Sequence, residues 1–313
     1  MNRYIEHGIK PMLIGKEQSI FDDPNFIYEL KFDGVRCIAY IEKGHVDLRN
    51  KRNLRLNEKF PELKAIASQV KHACILDGEL YIYKNGRTDF FAIQKRSLTS
   101  DPFKNQLAAQ RYPATFTAFD LLYDGSQCLM KKPLMERKER LAKLIHENER
   151  FNISRFIEEK GSALYELTCQ KQLEGVVAKR KDSFYYEDKR THDWIKCKNL
   201  YDDDYIICGY IPKERGIVSL ILAQIDRQQL IYCGHVTMGV SLHYLYEHSK
   251  STKQCPFDEI PKGNEEAIWI KPYLVGSVKF MEYTENGGLR QPVFKGFRED
   301  KQPKDCLFHG YDE

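Results

Sequence analysis

Residues 26–42, FIYELKFDGVRCIAYIE, interleave apolar and charged side chains in a way that limits what can surround them. In an extended strand alternate residues share a face. Glu29, Lys31 and Asp33 are therefore expected to point the same way, with Lys31 between two carboxylates. A lysine amine attacks phosphorus or carbon only in its neutral form. Burial and nearby cations favour that form, whereas neighbouring carboxylates favour the ammonium. KFDGVR alone thus fits a cross-strand ion pair as well as it fits a nucleophile. Activation would need cations from elsewhere in the chain or from a bound metal.

Strand-like segments recur through the first two-thirds of the chain. HVDLRN (45–50) follows across a Lys-Gly turn, and CILDGELYIY (74–83) is expected to break at Asp77-Gly78. TFTAFDLLYDG (115–125) ends on Asp-Gly, a hairpin dipeptide. EKFPELKAIASQV (58–70) has helical spacing. PLMERKERLAKLIHENE (133–149) predicts an amphipathic helix with Leu134, Leu141, Leu144 and Ile145 as its apolar stripe and charges elsewhere. From about residue 200 the texture changes to short strands, YDDDYIICGYI, VSLILAQI, QQLIYCGHVT, SVKFMEYT and PVFKGF, with one helix expected around 241–248. That pattern fits a Greek-key barrel of the OB type. The expected domains are 1–199 and 200–313, with Tyr201–Asp204 as linker and hinge.

Composition removes several classes. The 313 residues suit one large or two ordinary domains, and no window approaches eighteen consecutive apolar residues. The first residues lack the apolar run of a secretory signal, so a cytoplasmic protein with no membrane partner is expected. None of the nine cysteines forms a CxxC pair, which fits reduced thiols better than a zinc ribbon. GxxxxGK[ST], strand-following GxGxxG, GxSxG and HExxH are absent. A nucleotide would therefore be held by neither a P-loop nor a Rossmann grip. The net charge of +4 permits a nucleic-acid partner without arguing for one.

Charged residues recur in other strand-like segments. Asp77 and Glu79 place two acids in an apolar strand. Glu174 and Lys179 bracket Gly-Val-Val-Ala. Lys196 and Lys198 share a strand face beside Trp194, and Arg190 lies six residues before Lys196. Several cations with spare glutamates would suit a triphosphate and a divalent metal.

In this order, K31-F-D-G-V-R36, D77-G-E79, F119 within TAFDLLY, E174-G-V-V-A-K179 and W194-I-K-C-K198 resemble the successive motifs of covalent nucleotidyltransferases. LRQPVFKGFREDK (289–301) resembles the last motif of ATP-dependent DNA ligases, and the likeness runs from about residue 10 to 304. It is similar above all to the ligase domain of bacterial ligase D, as a stand-alone two-domain enzyme. The resemblance implies an α+β fold: an adenylyltransferase (ATP-grasp-like nucleotidyltransferase) domain of antiparallel sheets with helices, followed by an OB-fold barrel.

It further implies that Lys31 carries AMP as a phosphoramidate, with ATP and Mg2+ (or Mn2+) as cofactors. Lys179, Lys196 and Lys198 would grip phosphates and supply the positive potential Lys31 needs. Arg36 and Arg190 would contact phosphate or ribose, Glu29 the adenosine, and Phe119 would stack on adenine. Glu79 and Glu174 would hold ribose and metal. The family's Ser-Arg-Asn-Gly motif is R49-N-K-R52-N53 here, lacking Ser and Gly; Arg52 is chosen, with Arg49 the alternative. Arg298 and Lys301, with Arg290 and Asp300 on a tail too polar for core, would orient the leaving pyrophosphate.

The expected activity is sealing of 3′-hydroxyl/5′-phosphate nicks in duplex DNA by a monomer, in repair, recombination or replication. The setting would be bacterial or phage-encoded and nucleoid-associated, with a Ku-type end-binding protein as candidate partner. The alternatives are an RNA ligase, a capping-type nucleotidyltransferase, and an inactive nucleic-acid-binding module.

Overall fold

The computed structural model describes residues 3–84, 87–238, 242–284 and 287–308. The chain divides into two compact units, Met1–Asn199 and Leu200–Glu313. The first unit runs β1 (Leu13–Glu17), β2 (Asp23–Leu30), β3 (Val35–Glu42), β4 (His45–Asn50), β5 (Cys74–Lys84), β6 (Arg87–Thr88), β7 (Ala114–Asp124), β8 (Gln127–Cys128), β9 (Phe151–Ile153), β10 (Phe156–Glu159), β11 (Gly175–Arg180) and β12 (Arg190–Lys198). These form two sheets. One has the order β1-β12-β11-β2-β10; the other has β4-β3-β5-β7-β8, with β6 on β5 and β9 on β7. Only the β1–β12 and β7–β9 pairs are parallel among the described strands.

Register decides which side chains share a face. In the first sheet Glu29 pairs with Val177, which pairs with Lys196, while Ile27 pairs with Lys179 and Lys179 with Trp194. Residues two apart share that face, so it carries Glu29, Lys179, Trp194, Lys196 and Lys198. The opposite face, with Tyr28, Val176, Ala178, Ile195 and Cys197, packs on Leu164 and Tyr165 of the helix Gly161–Gln170. In the second sheet Cys37, Ala39 and Ile41 enter the largest core, with Leu48, Leu76 and Phe116. Arg36, Ile38 and Tyr40 face the other way, opposite Glu79, Asp77 and Ile75. There Ile38, Tyr40, Ile75 and Phe119 pack with Trp194 of the first sheet. The charged faces of the two sheets therefore meet.

Several expectations are corrected here. β2 ends at Leu30, so Lys31 and Asp33 leave the strand and its alternation. The turn that follows is tight: a Cβ on Gly34 would lie 2.1 Å from the Leu80 carbonyl oxygen. β5 runs unbroken through Asp77-Gly78. In β7 the pairing skips Phe119 and Leu122, each an extra residue in a bulge that redirects its side chain. Residues Pro61–Gln69 form a 3₁₀ helix rather than an α-helix. The helix Leu134–Leu144 buries Leu134, Leu141 and Leu144 as expected, but also Arg137 and Lys138.

The second unit comprises β13 (Tyr201–Pro212), β14 (Val218–Asp226), β15 (Gln229–Met238), β16 (Ile268–Phe280) and β17 (Val293–Phe297). Their order is β15-β14-β13-β16-β17, with β15 approaching β17 and the helix Leu242–His248 between β15 and β16. This is the OB barrel. Tyr205, Ile207, Leu220, Val236, Val278 and Phe280 contribute to its core. Tyr201–Asp204 is not linker: each residue pairs across to Phe280–Ser277, because β16 is long enough to template it. Arg290, expected on a polar tail, is buried and paired with Glu282 at 2.8 Å.

Arg137 clamps Asp120 through two hydrogen bonds of 2.7 and 2.8 Å, and both residues are fully buried. Removing one partner leaves a buried charge uncompensated. Arg137→Ala should cost about 3–5 kcal/mol in urea denaturation. Arg140→Ala, whose ion pairs are half-exposed, should cost no more than about 1 kcal/mol.

Candidate active site

Lys31 stands one residue beyond β2, and its main chain is still anchored. Its backbone N–H donates to the Gly175 carbonyl at 2.9 Å. Gly175 has φ +133°, and a Cβ there would lie 2.2 Å from the Cys197 carbonyl oxygen, so glycine is required where β11 starts. The Lys31 ammonium meets Glu174 Oε1 at 2.6 Å. Its carboxylate partner is thus Glu174, rather than the Glu29 and Asp33 expected from strand alternation.

Glu29 is only 2% exposed and belongs to a buried triad. It accepts from Lys179 Nζ at 3.0 Å and is also paired with Lys138. Burial works against its charge, yet the two lysines hold its carboxyl below the usual range. The adenosine contact expected of Glu29 therefore meets a carboxylate already engaged by two ammonium groups. Lys179, also 2% exposed, is pushed down to about 8, chiefly by burial; Glu29 opposes the shift and Lys138 adds to it. Its Nζ lies over the rings of Phe119 at 4.2 Å and Trp194 at 4.4 Å.

Arg36 grips Asp77 through Nε and Nη2, both at 2.6 Å. Asp77 is fully buried and also accepts from the Tyr185 hydroxyl at 2.6 Å. The Arg36 guanidinium lies over Phe119 at 4.4 Å. Phe119, 7% exposed, has an edge-on contact with Trp194 besides its two cations. The ring expected to carry adenine is here covered by Arg36 and Lys179.

Glu79 is half-buried, and desolvation pushes its carboxyl up to about 8. Arg36 and Lys31 oppose that shift, and Glu174 and Asp77 reinforce it. Glu79, Glu174 and Lys31 therefore share one electrostatic neighbourhood. No cluster of three or more His, Cys, Asp or Glu side chains suited to a metal occurs among the described residues. Glu174, and Glu79 once a cation displaces its proton, nevertheless fit a hard divalent cation that completes its shell with water and phosphate oxygens.

The remaining cations have partners too. Lys196 and Lys198 share Glu17 at 2.9 and 3.5 Å, and Arg190 donates to the Ile14 carbonyl at 3.0 Å. Arg49 is paired with Asp47 and donates to the Asn53 carbonyl at 3.2 Å, whereas Arg52 is exposed on the loop. Asn53 adopts φ +61°, a left-handed turn that asparagine tolerates. In the second unit, Arg298 pairs with Asp300 at 2.8 Å and Asp204 at 3.4 Å, and Lys301 with Asp204 at 2.8 Å.

Lys138, Tyr185 and Glu17 are site residues that the motifs do not reveal. For Lys138 a signal exists: it lies at i+4 from Leu134 and i−3 from Leu141, on the apolar stripe itself.

Comparison with known proteins shows the family of both units. The family described as "ATP dependent DNA ligase domain" matches residues 11–198, and "ATP dependent DNA ligase C terminal region" matches 213–301. The SPbeta prophage-derived DNA ligase-like protein LigB of Bacillus subtilis is 29% identical over 293 residues, 93% of this chain and 99% of that protein. The multifunctional non-homologous end joining protein LigD of Pseudomonas aeruginosa is 32% identical over 295 residues, which is 89% of this chain but 34% of LigD. The ligase domain of Mycobacterium tuberculosis LigD superposes with a TM-score of 0.56 at 26% identity, covering 97% of this chain and 99% of that one. A mycobacterial DNA ligase D complexed with ATP and MES gives 0.56 at 27% identity, covering 96% and 98%.

The raised Glu79 carboxyl carries a pH signature. Between about pH 4.5 and 8 the folded chain holds a proton there that the unfolded chain has released, so stability falls as pH rises through that window. Glu79→Gln should remove that decline, read as urea midpoints across the range. A decline identical to wild type would refute the assignment.

Proposed function

The chain belongs to the ATP-dependent DNA ligases, and from that premise we propose that Lys31 is the residue that becomes adenylated. The observation that carries the assignment is the 2.6 Å contact between Lys31 and Glu174, beside Glu79. Lys31 Nζ attacks the α-phosphorus of ATP. The N–P bond forms as the bond to the bridging β-phosphate oxygen breaks, and pyrophosphate leaves. Glu174 Oε1 is placed to accept the Nζ proton. In the second step a 5′-phosphate oxygen of nicked DNA attacks the same phosphorus, breaking the N–P bond and restoring the amine. In the third, the 3′-hydroxyl attacks the activated 5′-phosphate and expels AMP.

Glu79 and Glu174 would hold Mg2+ or Mn2+, which would supply positive charge against the triphosphate. Lys196 and Lys198 bind phosphate by exchanging Glu17 for it, and Arg36, fixed by Asp77, presents a permanent cation. Phe119 stacks on adenine beside the Arg36 and Lys179 cations. Arg190 and Arg52 contact the nucleotide or the DNA backbone. Arg298 and Lys301 orient the leaving pyrophosphate.

We place the activity in DNA repair in the cytoplasm. The end-joining name of LigD supports this reading, and a Ku-type partner would follow from it. Among the described residues no helix is long and apolar enough to cross a membrane.

Lys31→Ala should abolish the covalent adduct formed from α-labelled ATP while retaining sealing of a nick that already carries AMP on its 5′-phosphate. An adduct at full yield would sink the assignment. Labelled GTP should give no adduct.

A further inference from the structure

The last-motif cations are neutralised within their own unit. Arg298 and Lys301 are matched by Asp300 and Asp204, two positive charges against two negative ones. Asp300 travels with the tail, two residues from Arg298. Asp204 does not: it sits in β13, paired with Ser277 of β16. Its backbone N–H donates to Asp203 Oδ1, and its carbonyl accepts from Gln224, whose Nε2 also donates to Asp203 Oδ2 at 2.7 Å. The Asp204 side chain is 11% exposed, whereas those of Arg298 and Lys301 are 35% and 37% exposed. A mostly buried carboxylate, fixed in the barrel, thus holds two partly exposed cations at its rim. Barrel stability does not require this, because partly exposed ion pairs contribute little.

We propose that Asp204 is a positioning residue that parks Arg298 and Lys301, so that pyrophosphate-bearing ATP must displace an internal carboxylate to recruit them. This rests on the reading of these two cations as pyrophosphate contacts. Two consequences follow. The parked group of Arg298, Lys301, Asp300 and Asp204 carries no net charge, which weakens the pull of these two cations on other polyanions. The cost falls on the adenylation step alone, since sealing an already adenylated nick involves no pyrophosphate.

The test compares the full chain as wild type, Asp204→Asn, Asp204→Ser and Asp204→Glu, and Arg298→Ala/Lys301→Ala with and without Asp204→Asn. Single-turnover formation of adenylated protein is measured across ATP concentrations, with sealing of a pre-adenylated nicked duplex alongside. Asp204→Asn should lower the half-saturating ATP concentration by about two- to fivefold. Asp204→Glu should behave as wild type. The gain should vanish without the two cations, and pre-adenylated nick sealing should be unchanged in every Asp204 variant. A merely structural aspartate would give the opposite sign, slower adenylation with a lowered thermal midpoint. Unchanged or slower adenylation, a gain that survives loss of the cations, or a barrel that unfolds with both Asn and Ser at 204 would overturn the proposal. Wild-type adenylation by Arg298→Ala/Lys301→Ala would instead overturn the underlying reading of the last motif.

Discussion

The three-strand register β2–β11–β12 decides where the charges of the first unit stand. Glu29, Val177 and Lys196 lie in one row, and Ile27, Lys179 and Trp194 in the next. A slip of one residue would turn Glu29 and Lys179 into the apolar layer under the helix Gly161–Gln170, and Tyr28 and Ala178 toward the charged side. Burying those apolar residues therefore fixes the register. The hydrogen bond from Lys31 to Gly175 carries it one residue further, to the point where the lysine leaves the sheet. The position of Lys31 is thus set by hydrophobic packing on the opposite face.

The same packing explains why the cations come with counter-ions. Lys179 and Lys138 are buried at 2% and 4% exposure, where an unpaired ammonium would be costly, and Glu29 lies between them. Arg36 has Asp77, Lys31 has Glu174, and Lys196 has Glu17. A pocket built for a polyanion has to be stable before the polyanion arrives. Internal carboxylates supply that stability, and ligand binding becomes an exchange of partners.

Much of this was legible in the sequence. Strands at 35–42, 45–50 and 114–124, the change of texture near residue 200 and the barrel after it all follow from period-two patterning and turn dipeptides. Arg36, Asp77, Glu79, Phe119, Glu174, Lys179, Lys196 and Lys198 each lie on or next to a strand of the two facing sheets, whereas Arg298 and Lys301 lie in the second unit. What could not be read is geometric. Alternation predicts Lys31 between Glu29 and Asp33, but strand β2 ends at Leu30 for reasons that lie across the fold, in the approach of Gly34 to Leu80. The bulge at Phe119 leaves no trace in composition, because it depends on how β5 pairs with β7. Lys138 was readable in principle, as a charge on an apolar stripe, but its partner Glu29 is 109 positions away in sequence.

The ion pairs fall into two classes by burial, and the classes imply different behaviour. Asp77 is fully buried and bound to Arg36 by two short hydrogen bonds, so separating them would strand a charge in a low-dielectric setting. Arg137 and Asp120 form the same kind of fixed unit. Lys196 with Glu17, and Lys301 with Asp204, keep at least one partner about a third exposed. Water can compensate those charges as they part, so their exchange against phosphate is inexpensive and sensitive to salt. Lys31 with Glu174 lies between these limits, with side chains 19% and 6% exposed. It is covered enough to hold one geometry yet open on the lysine side, which suits a residue that must first be positioned and then react.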